Sequence, residues 1–347
     1  MKNNRLIYLL ISLIVIWLAV LSFSLPKNSR DNPSTNINKY NVSGFSTDFT
    51  KVVDEDVSGT VTINADGTIL SGFAYRQDDS TVYILTAYHG IAGANSISVT
   101  FASTYTVNAT AAGYDFRSDL AVLRVESPYE VKTLKMGDST LLSQGEFVIS
   151  IGTPGSMDYA LSAELGMVSK GIVTIDNTIT YNGERYNYYL DVVQLSSNLP
   201  KGYSGSPVLN MNGEVVGMNT MDLDGELNFA LTANEARIVA DRIISGQDVS
   251  KNIFGVKGTY IKDMMNYEKS NLNLDIEVIS GLYVQRVKEN SPALMAGVRT
   301  GDVITKINDV ALNGLDDMLN VTYMENDDVV FEVIRGDQTF LLGMNDD

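Results

Sequence analysis

Ser204 lies in the run Gly202-Tyr203-Ser204-Gly205-Ser206-Pro207, between a polar stretch (Ser196, Ser197, Asn198) and the apolar Val208-Leu209. A serine flanked by glycines at a turn into a strand exposes its hydroxyl and leaves neighbouring amides free to point outward. A serine nucleophile with an oxyanion hole needs both. Such turns are common, so the stretch carries meaning only with a base and an acid elsewhere. The chain has a single histidine, His89, where an apolar run (Ile84 to Ala87) ends beside Gly90. Serine chemistry needs a base that titrates near neutral pH, and His89 is the one imidazole on offer.

The base then precedes the nucleophile. The α/β-hydrolase order of Ser, acid, His fails, because no histidine follows Ser204 and Ser206 stands where a Gly-x-Ser-x-Gly elbow needs its last glycine. The order His, Asp, Ser of trypsin-like barrels stays open. It requires an acid between 89 and 204. Asp119 begins an apolar run, Leu120 to Leu123, out of the polar turn Arg117-Ser118. There it can accept a hydrogen bond from His89, hold its tautomer and stabilise the imidazolium. Asp115 is the nearest rival, with Asp138 and Asp158 behind it.

Positioning three such residues takes a framework of strands. From about Val52 to Thr232 the chain alternates short β-branched and aromatic runs with Gly, Asn and Asp turns, the pattern of an antiparallel sandwich or barrel. Strands are predicted at 57–63, 69–75, 81–86, 96–101, 120–125, 147–151, 178–181, 188–195 and 214–219. A helix over Asn234 to Ile244, with Asn234 as N-cap and Gly246 beyond its end, closes this region. A polar linker follows, and then a smaller α+β unit over about 253–343. Its Ser291-Pro292 start and Gly297 stop specify a short helix. A turn at Gly301-Asp302 enters a strand, and Val329 to Ile334 reads as another.

The remaining composition narrows the class. Formal charge is -17, from 25 basic and 42 acidic residues; residues 1–30 hold Lys2, Arg5, Lys27 and Arg30 and no acid, so the rest is more acidic still. Such a body has no electrostatic reason to bind nucleic acid or anionic surfaces. The absence of cysteine excludes disulfides, thiolate metal sites and cysteine nucleophiles. No phosphate loop, metal motif or cofactor motif appears; Asp222 to Glu226 lacks calcium-loop spacing and reads as a hairpin turn. Leu6 to Leu25 is an uncharged apolar run long enough to cross a bilayer, with Lys2 and Arg5 before it. It predicts an anchor that leaves the body extracytoplasmic in the cell membrane, or secreted if the segment is cleaved. Pro26 to Asn41 then reads as a polar tether.

The ordered pieces resemble the HtrA (Deg) family of serine proteases. They are Ser71-Gly72-Phe73, Ile84 to His89, Ser118 to Leu123, Met136 to Ser139, Ile151 to Pro154, Gly202 to Pro207, Gly213 to Gly217 and Asn228 to Ala230. The resemblance covers about 52–343. It implies a mainly β architecture with a trypsin-like double β-barrel protease domain at 51–245, a linker at 246–252 and a small α+β PDZ domain at 253–343, which the apolar run and polar stretch precede as an anchor at 1–25, a transmembrane helix, and a linker at 26–50. It implies His89 as general base, Asp119 as orienting acid, Ser204 as nucleophile, and the amides of Gly202 and Ser204 as oxyanion hole. Substrates would be unfolded or damaged proteins, and a homotrimer is what the family suggests. Phe254, Gly255 and Val256, in Ile253-Phe254-Gly255-Val256, resemble the PDZ loop that receives a peptide C-terminus, with β-augmentation of the next strand. Tyr203 and Ser206 depart from the family's Gly-Asn-Ser-Gly-Gly-Pro; Ser206 would place a Cβ where close backbone approach is expected. Those two positions leave a rival expectation, a catalytically weak chaperone or peptide-sensing scaffold on the same fold. Asn198, in the place where a charge could set specificity, argues against a preference for Arg or Lys.

Overall fold

In the computed structural model, residues 49–343 are described apart from 103, 224–226, 251, 273–279 and 325–327, and without the side chains of 221–223. The expected anchor and the polar tether lie outside these residues, as do residues 224–226 of the Asp222 to Glu226 turn. Among the described residues no helix is long and apolar enough to cross a membrane.

A short helix, α1 (Phe49–Asp56), precedes the first barrel. The strands are β1 (Thr60–Ala65), β2 (Thr68–Asp78), β3 (Thr81–Ala87), β4 (Ile97–Phe101), β5 (Tyr105–Asp115) and β6 (Leu120–Glu126). They close in the order β1-β2-β3-β6-β5-β4. The strand expected from Val57 starts only at Thr60. Residues 57–59 make a 3-10 turn, and the Gly59 backbone is pressed against Leu134, with room for no side chain. The apolar run of β6 has a clear cause, since successive side chains point to opposite faces. Ala121, Leu123 and Val125 fill the barrel, whereas Leu120 and Val122 join the larger core beneath it, so both faces are buried.

The second barrel is built from β7 (Lys135–Met136), β8 (Phe147–Gly152), β9 (Ser162–Tyr181), β10 (Glu184–Leu195), β11 (Pro207–Leu209), β12 (Glu214–Leu223) and β13 (Leu227–Thr232). Its sheet runs β11-β8-β9-β10-β13-β12 and closes through pairing of β11 with β12. The long β9–β10 hairpin reaches the first barrel, where Tyr181 stacks on Phe116 with centroids 4.0 Å apart. Helix α2 (Ala233–Ile244) follows, capped by Thr232, whose hydroxyl accepts from the Glu235 amide. Asn234 is not the cap: its side chain accepts from the Ser139 amide and donates to Asp138 and Asp316.

The C-terminal unit comprises β14 (Val256–Tyr260), α3 (Asn266–Asn271), β15 (Leu282–Val287), α4 (Pro292–Met295), β16 (Val303–Ile307), β17 (Val310–Ala311), α5 (Leu315–Thr322), β18 (Val330–Arg335) and β19 (Gln338–Gly343). The sheet order is β14-β15-β16-β18-β19, with β17 on β16, so β14 is an edge strand. The cap of α4 is the expected one: the Ser291 hydroxyl accepts from the Leu294 amide, with Pro292 opening the helix. This unit packs on the second barrel. Leu315, Leu319 and Tyr323 share one buried core with Tyr188, Ala236 and Val239. The Tyr323 hydroxyl donates to the buried Glu235 carboxylate at 2.8 Å, and Lys288 bonds Asp176 and Asn187 at the β9–β10 hairpin.

Candidate active site

Strand pairing brings His89 to Asp119. Register Ala87↔Leu120 between β3 and β6 leaves the residues just beyond each strand face to face. His89 sits in the 3-10 turn Tyr88–Gly90. The Tyr88 amide donates to the Asp119 carbonyl at 2.9 Å, and the His89 amide donates to Asp119 Oδ1 at 2.8 Å. The remaining carboxylate oxygen, Oδ2, stands 2.7 Å from His89 Nδ1. Asp119 has φ +55, a left-handed conformation that aspartate tolerates better than most residues, and these three bonds hold it there. An ionised carboxylate can only accept, so Nδ1 carries the proton and Nε2 keeps its lone pair. The hydrogen bond and charge of Asp119 raise the imidazole pKa above its ordinary value, against the opposing effect of burial.

The rival acids have other work. Asp115 is fully buried and accepts from the amides of Arg117 and Ser118 and from the Ser118 hydroxyl, bracing the turn that carries Asp119. Asp138 caps the 3-10 turn at Ser139, and Asp158 lies in another such turn.

Ser204 is delivered by the second barrel, in the loop before β11. Gly202 (φ +104) and Gly205 (φ +84) adopt conformations that only glycine takes readily. Space demands glycine as well: a Cβ on Gly202 would stand 2.2 Å from the Thr153 carbonyl oxygen, and one on Gly205 2.3 Å from that of Ser71. The loop is tied by Gly205 N to Asn219 O (2.7 Å), Ser206 N to Tyr203 O (2.8 Å) and Asn219 N to Ser206 O (3.0 Å). The amides of Gly202 and Ser204 donate to no partner among the described residues.

His89, Asp119 and Ser204 line one cleft of about 440 Å³, with Leu199, Pro200, Asn219, Thr220 and Asn228 among its walls. Among the described residues no hydrogen bond joins the Ser204 hydroxyl to the imidazole. Asn198 is exposed and outside the cleft lining.

Ser206 turns away from the chemistry, and Tyr203, although it is among the residues lining the cleft, keeps its side chain in the core. Tyr203 is 1% exposed, its ring against Gly152 and its hydroxyl donating to the Ser162 carbonyl at 3.0 Å. Ser206 is fully buried, and its hydroxyl accepts from Asn219 Nδ2, which also donates to Ser150. The Cβ of Ser206 therefore does not crowd the site. Sequence reasoning passed over Ser71, whose hydroxyl bonds the Gly202 carbonyl; only its place in the Ser71-Gly72-Phe73 motif marked it.

In the C-terminal unit, residues 253–256 line a small cavity of about 80 Å³ with Gly258, Met318, Leu319 and Thr322. Its far wall is the second barrel: Thr174, Tyr188, Tyr189 and Asp191. Phe254 is buried against Phe331, edge to face, so its ring belongs to the core; Gly255 (φ +76) makes the bend.

Residues 70–218 match the model of the trypsin-like peptidase domain, and residues 254–343 that of the PDZ domain. Serine protease Do-like HtrB of Bacillus subtilis (strain 168) is 29% identical over 279 residues, 78% of this chain and 60% of its own length. Serine protease Do-like HtrA of Lactobacillus helveticus is 30% identical over 261 residues, 73% of this chain and 62% of its own length. The chain thus spans about 60% of the length of these relatives. Among solved structures, the HtrA-type protease AlgW with tripeptide superposes with TM-score 0.59 at 23% identity, over 85% of this chain and 95% of that one, a likeness of fold. With barrels, cleft and C-terminal unit in this order, the chain joins a trypsin-like peptidase domain to a PDZ domain and is similar to the HtrA serine proteases.

Proposed function

We propose that this chain is a serine endopeptidase that cleaves unfolded or damaged proteins through an acyl-enzyme. The observation that carries the reading is the His89–Asp119 pair, bonded at 2.7 Å with Nε2 left free, on the cleft that Ser204 also lines. His89 takes the proton of Ser204 as the hydroxyl attacks a peptide carbonyl, and Asp119 stabilises the imidazolium. The amides of Gly202 and Ser204 receive the oxyanion. His89 returns the proton to the leaving amine, and water repeats the cycle on the ester. The Ser204–His89 hydrogen bond forms as substrate fills the cleft, since such bonds are commonly long in empty sites.

That missing bond also favours a second reading, a catalytically weak chaperone or peptide-sensing scaffold. Casein cleavage and labelling by a fluorophosphonate separate the two: the protease reading expects both, and both to vanish in Ser204→Ala. A folded full chain that neither cleaves nor labels would leave the scaffold. A peptide C-terminus is the expected ligand of the 253–256 loop, with β14 as the edge that receives it. We place the body outside the cytoplasm, anchored through residues 6–25, on the strength of that apolar run and the preceding Lys2 and Arg5. A homotrimer, checked by light scattering of the full chain in detergent, follows from the family alone.

A further inference from the structure

Ser71 lies on β2 in the first barrel, fully buried, yet its hydroxyl and amide both reach the second. The hydroxyl donates to the Gly202 carbonyl at 2.7 Å and accepts from the Thr153 amide at 2.8 Å. The Ser71 amide donates to the Ser204 carbonyl at 3.0 Å. Its own carbonyl accepts from Thr86 Oγ1 at 2.7 Å, which ties it back to β3. Peptide units are rigid planes. The Ser204 N–H belongs to the Tyr203–Ser204 plane, and Ser71 grips the plane on each side of it. Gly202 is the pivot of this loop, because a glycine turns about φ at little steric cost. Without a grip on its carbonyl, little would hold that pivot in one orientation.

We propose that Ser71 is a positioning residue that presets the oxyanion hole, an inference that rests on the reading of Ser204 as nucleophile. It touches no substrate; it fixes where the Gly202 and Ser204 amides point before charge develops on the substrate oxygen. Donors fixed in advance need no reorganisation in the transition state, and small misplacements are costly: about 10²-fold for about 1 Å.

The test compares Ser71→Ala with Thr62→Val in the full chain. Thr62 Oγ1 bonds Thr153 Oγ1 at 2.6 Å, also buried and also between the barrels, but among the described residues its side chain makes no hydrogen bond to the nucleophile loop. Both variants should melt earlier. Only Ser71→Ala should lower kcat, by about 10–100-fold, with KM within about twofold. Affinity for a peptide boronate, whose tetrahedral adduct uses the same amides, should fall in step. The acid limb of the pH profile should stay put, because the His89–Asp119 pair is untouched, and Ser71→Thr should recover most of kcat by keeping the hydroxyl. Hydrogen exchange of residues 199–206 should quicken in Ser71→Ala and not in Thr62→Val. Unchanged kcat and boronate affinity in Ser71→Ala, or an equal fall in Thr62→Val, would overturn the proposal. If the wild-type chain neither cleaves nor labels, the nucleophile assignment falls, and the exchange comparison alone still decides whether Ser71 grips the loop.

Discussion

Two grooves of the molecule differ in size and in what walls them. The cleft of His89 and Ser204 is open, about 440 Å³, whereas the cavity at the 253–256 loop is about 80 Å³ and walled by the second barrel. Their construction explains the contrast. The open cleft is lined by loops at the strand ends of two barrels whose interiors are already filled. The smaller one lies between an edge strand, β14, and a helix, α5, whose Leu315 and Leu319 are apolar and buried against the second barrel. An unpaired strand edge beside an apolar helix face is a liability in water; here Leu315 and Leu319 are covered by the second barrel, while β14 itself stays half-exposed. A peptide that had to displace part of this internal interface would bind with an affinity reduced in proportion to the fraction of molecules in which the groove stands free.

The largest effect should be confined to the open cleft. Ser204→Ala is expected to cut casein turnover by about 10⁶-fold and to leave peptide binding at the 253–256 loop unchanged; a shift in both would show the grooves to be one coupled site. Asp119→Asn should lower kcat by about 10⁴-fold, since an amide in place of the carboxylate no longer fixes the tautomer of His89. Acidification acts on the same pair. The base must be neutral, and Asp119 raises its pKa, so activity should be full on the alkaline side and fall through a value above about 6.5. An acid limb below that value in a kcat/KM profile would contradict the pairing.

On the closed side the effects should be smaller. Lys288→Met keeps the aliphatic stem but removes the bonds to Asp176 and Asn187. It should tighten binding of a fluorescent peptide with an apolar C-terminus by about 3–10-fold, read by anisotropy; unaltered affinity would mean that this contact does not hold the groove shut. Smallest of all, Tyr203→Phe should cost about 1 kcal/mol of stability in denaturant titration, with kcat within about twofold. A large fall in kcat would return Tyr203 to the site.

Much of the catalytic half was legible residue by residue. A lone histidine at a strand end and a glycine-flanked serine downstream restrict the chemistry and its chain order, because only an imidazole titrates where a serine needs its base. The strand expected at 178–181 is only the end of β9, whose remaining positions are mostly half or fully exposed; β5 was missed although Tyr105, Val107 and Ala109 alternate with Thr and Asn, because it has no continuous apolar run such as that of β6. Asn234 passed as an N-cap on residue type alone; Thr232 took the role because Asn234 was already engaged with Ser139, 95 positions away.

Composition and local pattern thus singled out the proposed nucleophile loop, the one imidazole that could serve as its base and a β-rich region followed by a smaller α+β unit, all of which follow from residue type and neighbours in the chain. Tertiary structure decided the rest. Asp119 rather than Asp115 faces His89 because the β3–β6 register sets the partner, and both aspartates look alike in a turn. Tyr203 and Ser206, which looked like changes to the site, have buried side chains, since burial depends on which distant strand packs against them. The same is true of the covered groove and of Ser71: each depends on contacts between residues more than a hundred positions apart, and no local pattern encodes those.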